Sequence, residues 1–459
     1  MGKKTDWKGQ YKLRHNWSIG ACEVQEIHVA DRPSVPSMLV KLAEGVVLTV
    51  DKGEGLRAWD LKGRELIASC RLEDGVIPTS LAVDEAEGRG TLGIAVGFMD
   101  GGWGTWRLDV ERKAFVDVYR HPPSSNGMLS AVAFANPYIL TITDSQLLSL
   151  YTFTPAPKPS DHDGEDGYEA EEATESKFQL MFEVEEAQFT SATDSEIPPA
   201  EGEPHLLASL KSHTSWPPLS LSIRTTSSTI IASIAYSMPT YYSGYTIGLQ
   251  ELHLSTTTGT ITFSRLSSAL PQGFSSILSS PTSSSPSSGT SSPSPGIHRQ
   301  GPGSNSRPTT LSYSHPYILA THPDNTLTLY LCTSTASTLH ISPGTKLWGH
   351  TSSVSSAEIT ARGKAVSVST RGNELRVWEL EGGLGSTPSR RRLNRKEVNG
   401  DRSVKIRPES KDGEPEEGLK GYEAEVGARK RWVGFDDEMV IVLKETEGGT
   451  QALMVYDFT

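Results

Sequence analysis

The sequence predicts an all-β protein, a β-propeller of about seven blades, in a chain of 459 residues. Three observations support this prediction. One phrase recurs along the chain: an apolar run, a polar turn, and an alternating strand that ends in an aromatic residue. The turns are rich in glycine, aspartate and asparagine, as strand reversals require. No convincing long helix interrupts the pattern, so paired short strands must build the core.

The recurring phrase places the blades along the chain. Clear copies read VVLTVDKGEGLRAWDL, GIAVGFMDGGWGTWRLD, ILTITDSQLLSLYTF, ILATHPDNTLTLYLC, AVSVSTRGNELRVWEL and VIVLKETEGGTQALMVYDF. The fourth blade has the strand pair without a clear tryptophan position, and TGTITFSRL is expected to be its next strand. The predicted blades span residues 37–72, 78–122, 127–190, 205–266, 308–347, 350–383 and 428–459.

The two chain ends are expected to close the ring together. The chain stops at LMVYDFT, the third strand of the last blade, so that blade lacks a fourth strand of its own. Residues 21–30, ACEVQEIHVA, alternate as an unpaired strand would. We predict that this segment completes the last blade and removes its exposed edge.

Three polar segments interrupt the propeller pattern and are predicted to be disordered insertions. They are residues 156–176 with eight acids and one lysine, the serine- and proline-rich residues 267–307, and residues 384–427. The second segment has Ser-Pro pairs, at Ser280, Ser285, Ser292 and Ser294, which are candidate phosphorylation sites. Arg390–Lys396 in the third matches a weak nuclear-import pattern. Residues 1–20 are expected to be a linker, and residues 21–459 the propeller.

Composition excludes several function classes. A net charge of -12 argues against general nucleic-acid binding, because phosphate neutralisation needs a basic face. The three cysteines match no zinc or redox spacing, which fits a reducing compartment. The sequence shows neither a secretory h-region nor a membrane-spanning apolar run, so a cytoplasmic or nuclear protein without membrane contact is expected. It also shows no phosphate loop, nucleophile elbow or metalloprotease motif, so neither enzymatic activity nor a cofactor is expected.

The repeated phrase resembles the inner half of a WD-repeat blade. Trp59-Asp60 and Trp378-Glu379 stand at the signature position, and Gly349-His350 precedes Trp378 at a spacing typical of that family. Looser versions of the aromatic position are Trp106, Tyr151, Tyr330 and Tyr456.

The WD resemblance implies a buried hydrogen-bond chain of histidine, serine or threonine, aspartate and tryptophan. The aspartate is expected six residues before the tryptophan, where Asp100 and Asp324 stand before Trp106 and Tyr330. Glycine occupies that position before Trp59 and Trp378. No blade is therefore expected to keep all four members.

The opening segment WKGQYKLRHNWSIG is similar to the stretch that follows the F-box in F-box/WD-repeat proteins. The residues that carry this resemblance are Trp7, Tyr11, Arg14, Asn16, Trp17 and Gly20. It implies that Trp7, Tyr11 and Trp17 anchor a linker to the propeller. An amphipathic helix with its aromatic side chains on the propeller rim is the plainer interpretation. An F-box has about forty residues and does not precede Trp7, so the adaptor module is expected either to be lost or to lie upstream of Met1.

The same resemblance implies a protein-binding role without catalysis. Such a protein recruits substrates to a cullin ubiquitin ligase, and its F-box binds a Skp1-type adaptor. Arginines on one propeller face often grip a phosphorylated peptide, and the candidates here are Arg57, Arg107, Arg362, Arg371 and Arg376. A general WD-type scaffold unrelated to ubiquitin is the alternative. A propeller enzyme, the third hypothesis, requires acids or histidines that converge on the central channel.

Overall fold

A computed structural model gives the fold of most of the chain. The described residues are 7–85, 90–154, 203–211, 216–226, 229–240, 244–255, 261–269, 306–370, 374–380, 403–408, 429–446 and 448–459. Residues 156–176, the four Ser-Pro pairs and Arg390–Lys396 lie outside them. Among the helices of the described residues, none has the length and apolar character that crossing a bilayer requires.

The described strands form seven largely antiparallel sheets, the predicted seven blades. The strands of blades one and two are β2 (Leu39–Ala43), β3 (Val46–Asp51), β4 (Gly55–Asp60), β5 (Glu65–Cys70), β6 (Pro78–Asp84), β7 (Thr91–Phe98), β8 (Trp103–Asp109) and β9 (Ala114–His121). Those of blades three and four are β10 (Leu129–Ala135), β11 (Tyr138–Thr143), β12 (Leu147–Thr152), β13 (His205–Lys211), β14 (Trp216–Thr225), β15 (Thr229–Thr240), β16 (Gly244–Ser255) and β17 (Ile261–Ser268).

Blades five to seven complete the ring. Blades five and six contain β18 (Leu311–Ser314), β19 (Tyr317–Thr321), β20 (Leu327–Ser334), β21 (Leu339–Ile341), β22 (Thr345–Leu347), β23 (Val354–Ile359), β24 (Lys364–Ser369), β25 (Leu375–Glu379) and β26 (Ser403–Lys405). Blade seven contains β1 (Ala21–Ala30), β27 (Arg407–Pro408), β28 (Arg429–Phe435), β29 (Met439–Glu445) and β30 (Gln451–Asp457).

The first strand of each blade lies at the centre of the ring. Each of these seven strands contacts the first strands of both neighbouring blades, which closes the circle. The second and third strands carry the buried apolar side chains that pack one blade on the next. The side chains of β3, for example, are buried along all six residues between blades one, two and seven. Burial of these facing sheets is the main source of the fold's stability.

The ends of the chain meet in blade seven. Strand β1 pairs antiparallel with β30, from Glu23 opposite Asp457 to Ala30 opposite Gln451. The alternating pattern of residues 21–30 is therefore the fourth strand of the last blade, as predicted. Strand β27 adds a short parallel pairing on the outer edge of β1.

Two insertion boundaries differ from the sequence-based prediction. Residues 403–405 form β26, which pairs with β25 and completes blade six. The sequence predicts instead that they belong to the insertion at 384–427. Ser267 and Ser268, assigned to the serine-rich insertion, end β17. Polar composition predicts disorder, but an outer strand needs only one apolar face, and Val404 and Ile406 supply it here.

The predicted boundary between blades three and four also differs from the observed boundary, by one strand. Residues 205–211, predicted to open blade four, form β13 and pair with β12 in blade three. The predicted end of blade three at residue 190 falls in the undescribed segment 155–202. Separation in sequence therefore concealed the pairing of two strands that lie side by side.

A helix precedes the ring. Helix α1 covers Trp7–Ile19 and ends at Gly20, whose φ of +74° suits a glycine. The Gly20 amide donates to Asn16 O at 2.8 Å. A Cβ at this position would collide with the carbonyl oxygen of Lys405. Gly20 therefore both ends the helix and lets the chain pass close to blade six before β1 begins.

Candidate functional site

Blade six contains a buried chain of hydrogen bonds around Trp378. The indole Nε1 donates to Ser367 Oγ at 2.8 Å, and His350 Nε2 lies 2.6 Å from the same hydroxyl oxygen. On its other side, His350 Nδ1 lies 3.6 Å from Glu374 Oε2. All four side chains are buried. These side chains link the connection between β22 and β23 to β24 and β25, the second and third strands of blade six.

Glu374 is the acidic side chain beside His350, so blade six approximates the four-member chain without the expected aspartate. It stands four residues before Trp378 instead of six, and it is a glutamate. The Thr351 amide donates to Glu374 Oε2 at 2.7 Å. Burial pushes the pKa of Glu374 upward, but the Thr351 hydrogen bonds and the Arg376 charge together hold this pKa below its ordinary value. A sequence search that accepts glutamate as well as aspartate, between four and six residues before the tryptophan, would identify Glu374.

Blade one keeps a reduced version in which Arg57 has a structural role. Trp59 Nε1 donates to Thr49 Oγ1 at 3.0 Å. The Arg57 guanidinium forms a 2.9 Å ion pair with Asp51 and donates to Val29 O at 2.8 Å. Both charged side chains are buried. The assignment of Arg57 as a partner-binding residue is therefore wrong, because its donors bind the protein's own core.

The other aromatic WD-type positions pack inside the blades. Trp106, Tyr330 and Tyr456 are buried, and Tyr151 is half-buried. Tyr151 lies 5.3 Å from the Trp103 ring, between centroids. Burial raises the pKa of Tyr330, so this phenol stays neutral. Each of these positions contributes packing rather than an exposed reactive group.

The three aspartates of the WD-type pattern shape turns. Asp60 and Asp100 each accept a backbone N–H from two or three residues further on, at 2.9 Å. Asp324 accepts the Thr326 hydroxyl at 2.6 Å and lies 3.8 Å from Lys346 Nζ. These carboxylates fix the backbone at strand reversals, as aspartate side chains commonly do.

Strand direction gives the ring two distinct faces. The upper face carries the connections between blades and the turns between second and third strands. The lower face carries the turns between first and second strands and between third and fourth strands. This division follows from the antiparallel pairing within every blade.

The described arginine candidates do not form a cluster on the upper face. Arg376 donates to Ser403 at 2.8 Å inside blade six. Arg362 is exposed on the lower face, 3.7 Å from a carboxylate of blade seven. Arg107 is exposed on the flank of blade two, and Arg371 lies outside the described residues. The four described arginines therefore do not form a binding site for a phosphorylated peptide.

Exposed apolar side chains mark the upper face instead. Val35, Met99 and Trp348 stand on its connections and turns, with exposed fractions of 82%, 45% and 67%. Trp348 immediately precedes the Gly349-His350 pair of blade six, so the buried histidine fixes the base of its loop. Lys346 Nζ lies 5.9 Å from the centre of the Trp348 ring. A tryptophan beside a cation is the type of surface residue that is enriched at protein interfaces.

Helix α1 is attached to the lower face through one side. Trp17 is buried between blades six and seven and donates from Nε1 to Asp437 O at 3.0 Å. Asn16 donates to Phe458 O at 2.8 Å, and Lys12 Nζ to Thr459 O at 3.2 Å. The expectation that Trp17 anchors the linker agrees with these contacts.

The other side of α1 faces solvent. Trp7 and Tyr11, four residues apart, are 76% and 74% exposed, so their assignment as linker anchors is wrong. The reason is helical periodicity: residues four apart share a face, and Leu13 and Trp17 occupy the face that packs on the ring. The helix thus carries two exposed aromatic side chains on the lower side of the propeller.

Acids gather where the central strands end on the lower face. Glu44, Glu85 and Asp436 directly follow the first strands of blades one, two and seven. Burial and then the charges of Glu44, Asp84 and Asp436 raise the pKa of Glu85. Burial likewise raises the pKa of Glu358 on β23, against the attraction of a nearby lysine. Burial and, to a smaller extent, mutual repulsion therefore disfavour the ionised form of these carboxyl groups.

Three side chains that can ligate a metal meet between blades four and five. They are Glu251, His315 and Cys332, from β16, the turn after β18, and β20. They are 64 and 17 residues apart along the chain, so no spacing motif could reveal them.

One protein family matches almost the whole chain. A family model described as "F-box protein pof12 beta-propeller" matches residues 22–459. No curated protein matches the sequence. Among solved structures, the WD40 β-propeller domain of Doa1 is 11% identical with a TM-score of 0.40, over 94% of this chain and 95% of that one. The computationally designed Ika8 protein is 12% identical with a TM-score of 0.40, over 92% and 83%.

Proposed function

Because the chain belongs to the F-box protein pof12 β-propeller family, we propose that it is a non-catalytic, protein-binding subunit. Its task is to recruit substrates to a ubiquitin ligase of the cullin, Skp1 and F-box type. The upper face holds the substrate, and the lower face is turned toward the ligase. An F-box would bind the adaptor.

The position of α1 carries this proposal. The helix contacts Phe458 and Thr459 through Lys12, Asn16 and Trp17, so it is fixed to the closed ring. Any module joined to its N-terminal end extends from the lower face. The upper face is then left open to a second protein, as a substrate receptor requires.

The upper face offers a binding surface centred on Trp348. Its indole is two-thirds exposed, yet the loop that carries it is fixed at His350 and Thr351 by Ser367 and Glu374. A rigid exposed aromatic loses little conformational entropy when a partner covers it. We propose that this surface, rather than an arginine cluster, provides the main contact with the substrate.

The proposal also includes the cellular setting. A net charge of -12 and a binding surface built on exposed apolar groups favour protein partners over nucleic acid or membrane. The protein is proposed to act in the cytoplasm or the nucleus, where cullin ligases meet their substrates.

Affinity purification of the endogenous protein, tagged at Thr459 and analysed by mass spectrometry, tests the proposal. We expect a Skp1-type adaptor, a cullin and a small set of substrates. Trp348→Ala should remove the substrates and keep the adaptor and the cullin. Trp7→Ala, an equally exposed tryptophan on the opposite face, is the matched control and should keep the substrates.

A stable complex that contains neither adaptor nor cullin would contradict the ligase role. That outcome would favour the alternative, a general WD40 scaffold in an assembly unrelated to ubiquitin. Loss of substrates in both tryptophan variants, or in neither, would show that the upper face is not the binding surface.

A further inference from the structure

A buried polar cluster lies between blades four and five. Its centre is Glu251 on β16, whose carboxylate is fully buried. Arg224 NH2 lies 2.6 Å from Oε1. Ser334 Oγ donates to Oε2 at 2.6 Å, and His253 Nε2 lies 3.2 Å from the same oxygen. Burial of a carboxylate is costly, and these partners offset that cost.

Two further ligand atoms face this carboxylate. Glu251 offers a carboxylate oxygen, His315 a ring nitrogen and Cys332 its sulfur, and the three atoms lie within 4.8 Å of one another. Cys332 is buried at 2% exposure. His315 Nδ1 is buried and has no hydrogen-bond partner among the described residues. A buried ring nitrogen without a partner is unfavourable unless another group satisfies it.

The ligand chemistry fits zinc. Zn²⁺ takes carboxylate oxygen, imidazole nitrogen and thiolate sulfur at about 2.0–2.3 Å, in tetrahedral geometry. Ligand atoms around such an ion stand roughly 3.3–3.8 Å apart, so small side-chain movements within the cluster would suffice. We propose that Glu251, His315 and Cys332 form a Zn²⁺ site, with water in the fourth position.

The neighbouring charges set limits on this site. Arg224 holds Oε1 of Glu251, so the metal would be bound through Oε2, in place of the contact with Ser334 or His253. Binding would add two positive charges and release the Cys332 thiol proton, which leaves the Arg224 charge uncompensated. The site should therefore bind zinc less tightly than a closed site of four cysteines.

The location gives the site a structural purpose. Strand β17 ends at Ser268 and β18 begins at Leu311, so a segment of more than forty residues is the covalent link between blades four and five. A metal held by one blade-four residue and two blade-five residues would cross-link the blades directly. The half-buried His315, in the turn after β18, provides the side from which an ion can enter.

The test uses the full chain, stripped of metal by chelation and then titrated with Zn²⁺ or Co²⁺. We expect one equivalent of Zn²⁺ after dialysis and an increase in Tm that a chelator reverses. Co²⁺ should produce a thiolate-to-cobalt charge-transfer absorption. Cys332→Ser should abolish this absorption, and His315→Gln should weaken binding at least tenfold. Cys70→Ser and His340→Gln change the same residue types elsewhere in the chain. They should leave the charge-transfer absorption and the metal affinity unchanged.

A second measurement keeps the proposal testable if Cys332→Ser fails to fold. In the unmodified protein, Zn²⁺ should protect one of the three cysteines from thiol reagents after partial unfolding, and peptide mapping should identify it as Cys332. Absence of the charge-transfer absorption in the unmodified protein, or its loss in Cys70→Ser, would overturn the proposal. Stoichiometric zinc with protection of a different cysteine would also overturn it.

Discussion

Trp17 and Phe458 stack face to face, with ring centroids 3.9 Å apart and ring planes 8° apart. The first belongs to α1 and the second follows β30, so this contact joins the two ends of the ring. Lys364 Nζ lies 3.0 Å from the centre of the Trp17 ring and covers its other side. The helix is thus part of the closure of the propeller.

Trp17→Ala should destabilise the whole propeller by about 3–5 kcal/mol, because it removes a buried aromatic side chain and its hydrogen bond to Asp437 O. Urea unfolding followed by tryptophan-independent circular dichroism measures this change. Trp7→Ala in the same helix is the control and should shift the free energy of unfolding by less than about 0.5 kcal/mol. Equal effects of the two variants would mean that α1 is not fixed to the ring as described.

Glu374→Gln should cost about 1.5–3 kcal/mol at pH 7, since it removes the charge that binds the Thr351 amide and faces Arg376. The folded-state pKa of Glu374 lies below its ordinary value of 4.5. Its contribution is therefore fully present above about pH 4.5 and is lost as pH falls through the folded-state pKa.

The stability difference between the unmodified protein and Glu374→Gln should accordingly shrink in acid. Thermal unfolding between pH 3 and pH 7 measures this trend. Glu379→Gln, an exposed acid at the end of the same strand, is the control. A difference that stays constant with pH would show that the ionised carboxylate does not support the blade-six chain.

Arg57→Ala should destabilise the protein by roughly 3–5 kcal/mol, because it leaves the buried Asp51 carboxylate without its ion-pair partner. Arg107→Ala, at an exposed arginine of the next blade, should change stability by less than about 0.5 kcal/mol. Chemical denaturation of both variants makes the comparison. A small effect at Arg57 would restore it as a candidate for partner binding.

Glu85→Gln should stabilise the protein at pH 8, by up to ~0.5 kcal/mol after solvent screening, since it removes a charge that burial and then repulsion from Glu44, Asp84 and Asp436 disfavour. The folded-state pKa of Glu85 is raised above 4.5, so the unfolded chain releases this proton first. The stability contributed by this group therefore falls as pH rises from about 4.5 through the folded-state pKa.

The stability of Glu85→Gln should therefore depend less on pH than that of the unmodified protein. Melting temperatures at pH 5 and pH 8 in low salt test this expectation. Glu111→Gln, an exposed acid in the turn before β9, should leave the pH dependence unchanged. High salt should reduce the difference between Glu85→Gln and the unmodified protein, because screening weakens the repulsion. A variant that is less stable at pH 8 would contradict the repulsion.

The interior of the propeller was predictable from local patterns. Alternation of apolar and polar residues identifies strands such as β3 and β4 because each strand buries one or both faces in a regular way. The same alternation in residues 21–30 was sufficient to identify the closing strand. Seven such units in one chain predict the ring, because blades bury their faces only against other blades.

Outer strands and side-chain partners were much less predictable. Strands β13 and β26 follow long insertions. Their own sequences do not indicate which blade each strand completes. Glu374 reaches His350 from an unexpected position because a longer side chain tolerates a different spacing. The exposure of Trp7 and Tyr11 depends on how α1 is rotated against the ring.

Local hydrophobic periodicity is sufficient to predict the all-β architecture, the seven blades and the closure of the ring. Three features become visible only in the folded chain: Arg57 is buried with Asp51, Trp348 is exposed on the upper face, and Glu251, His315 and Cys332 meet. Glu251 meets His315 and Cys332 because blades four and five pack side by side. Distance along the chain carries little information about such contacts.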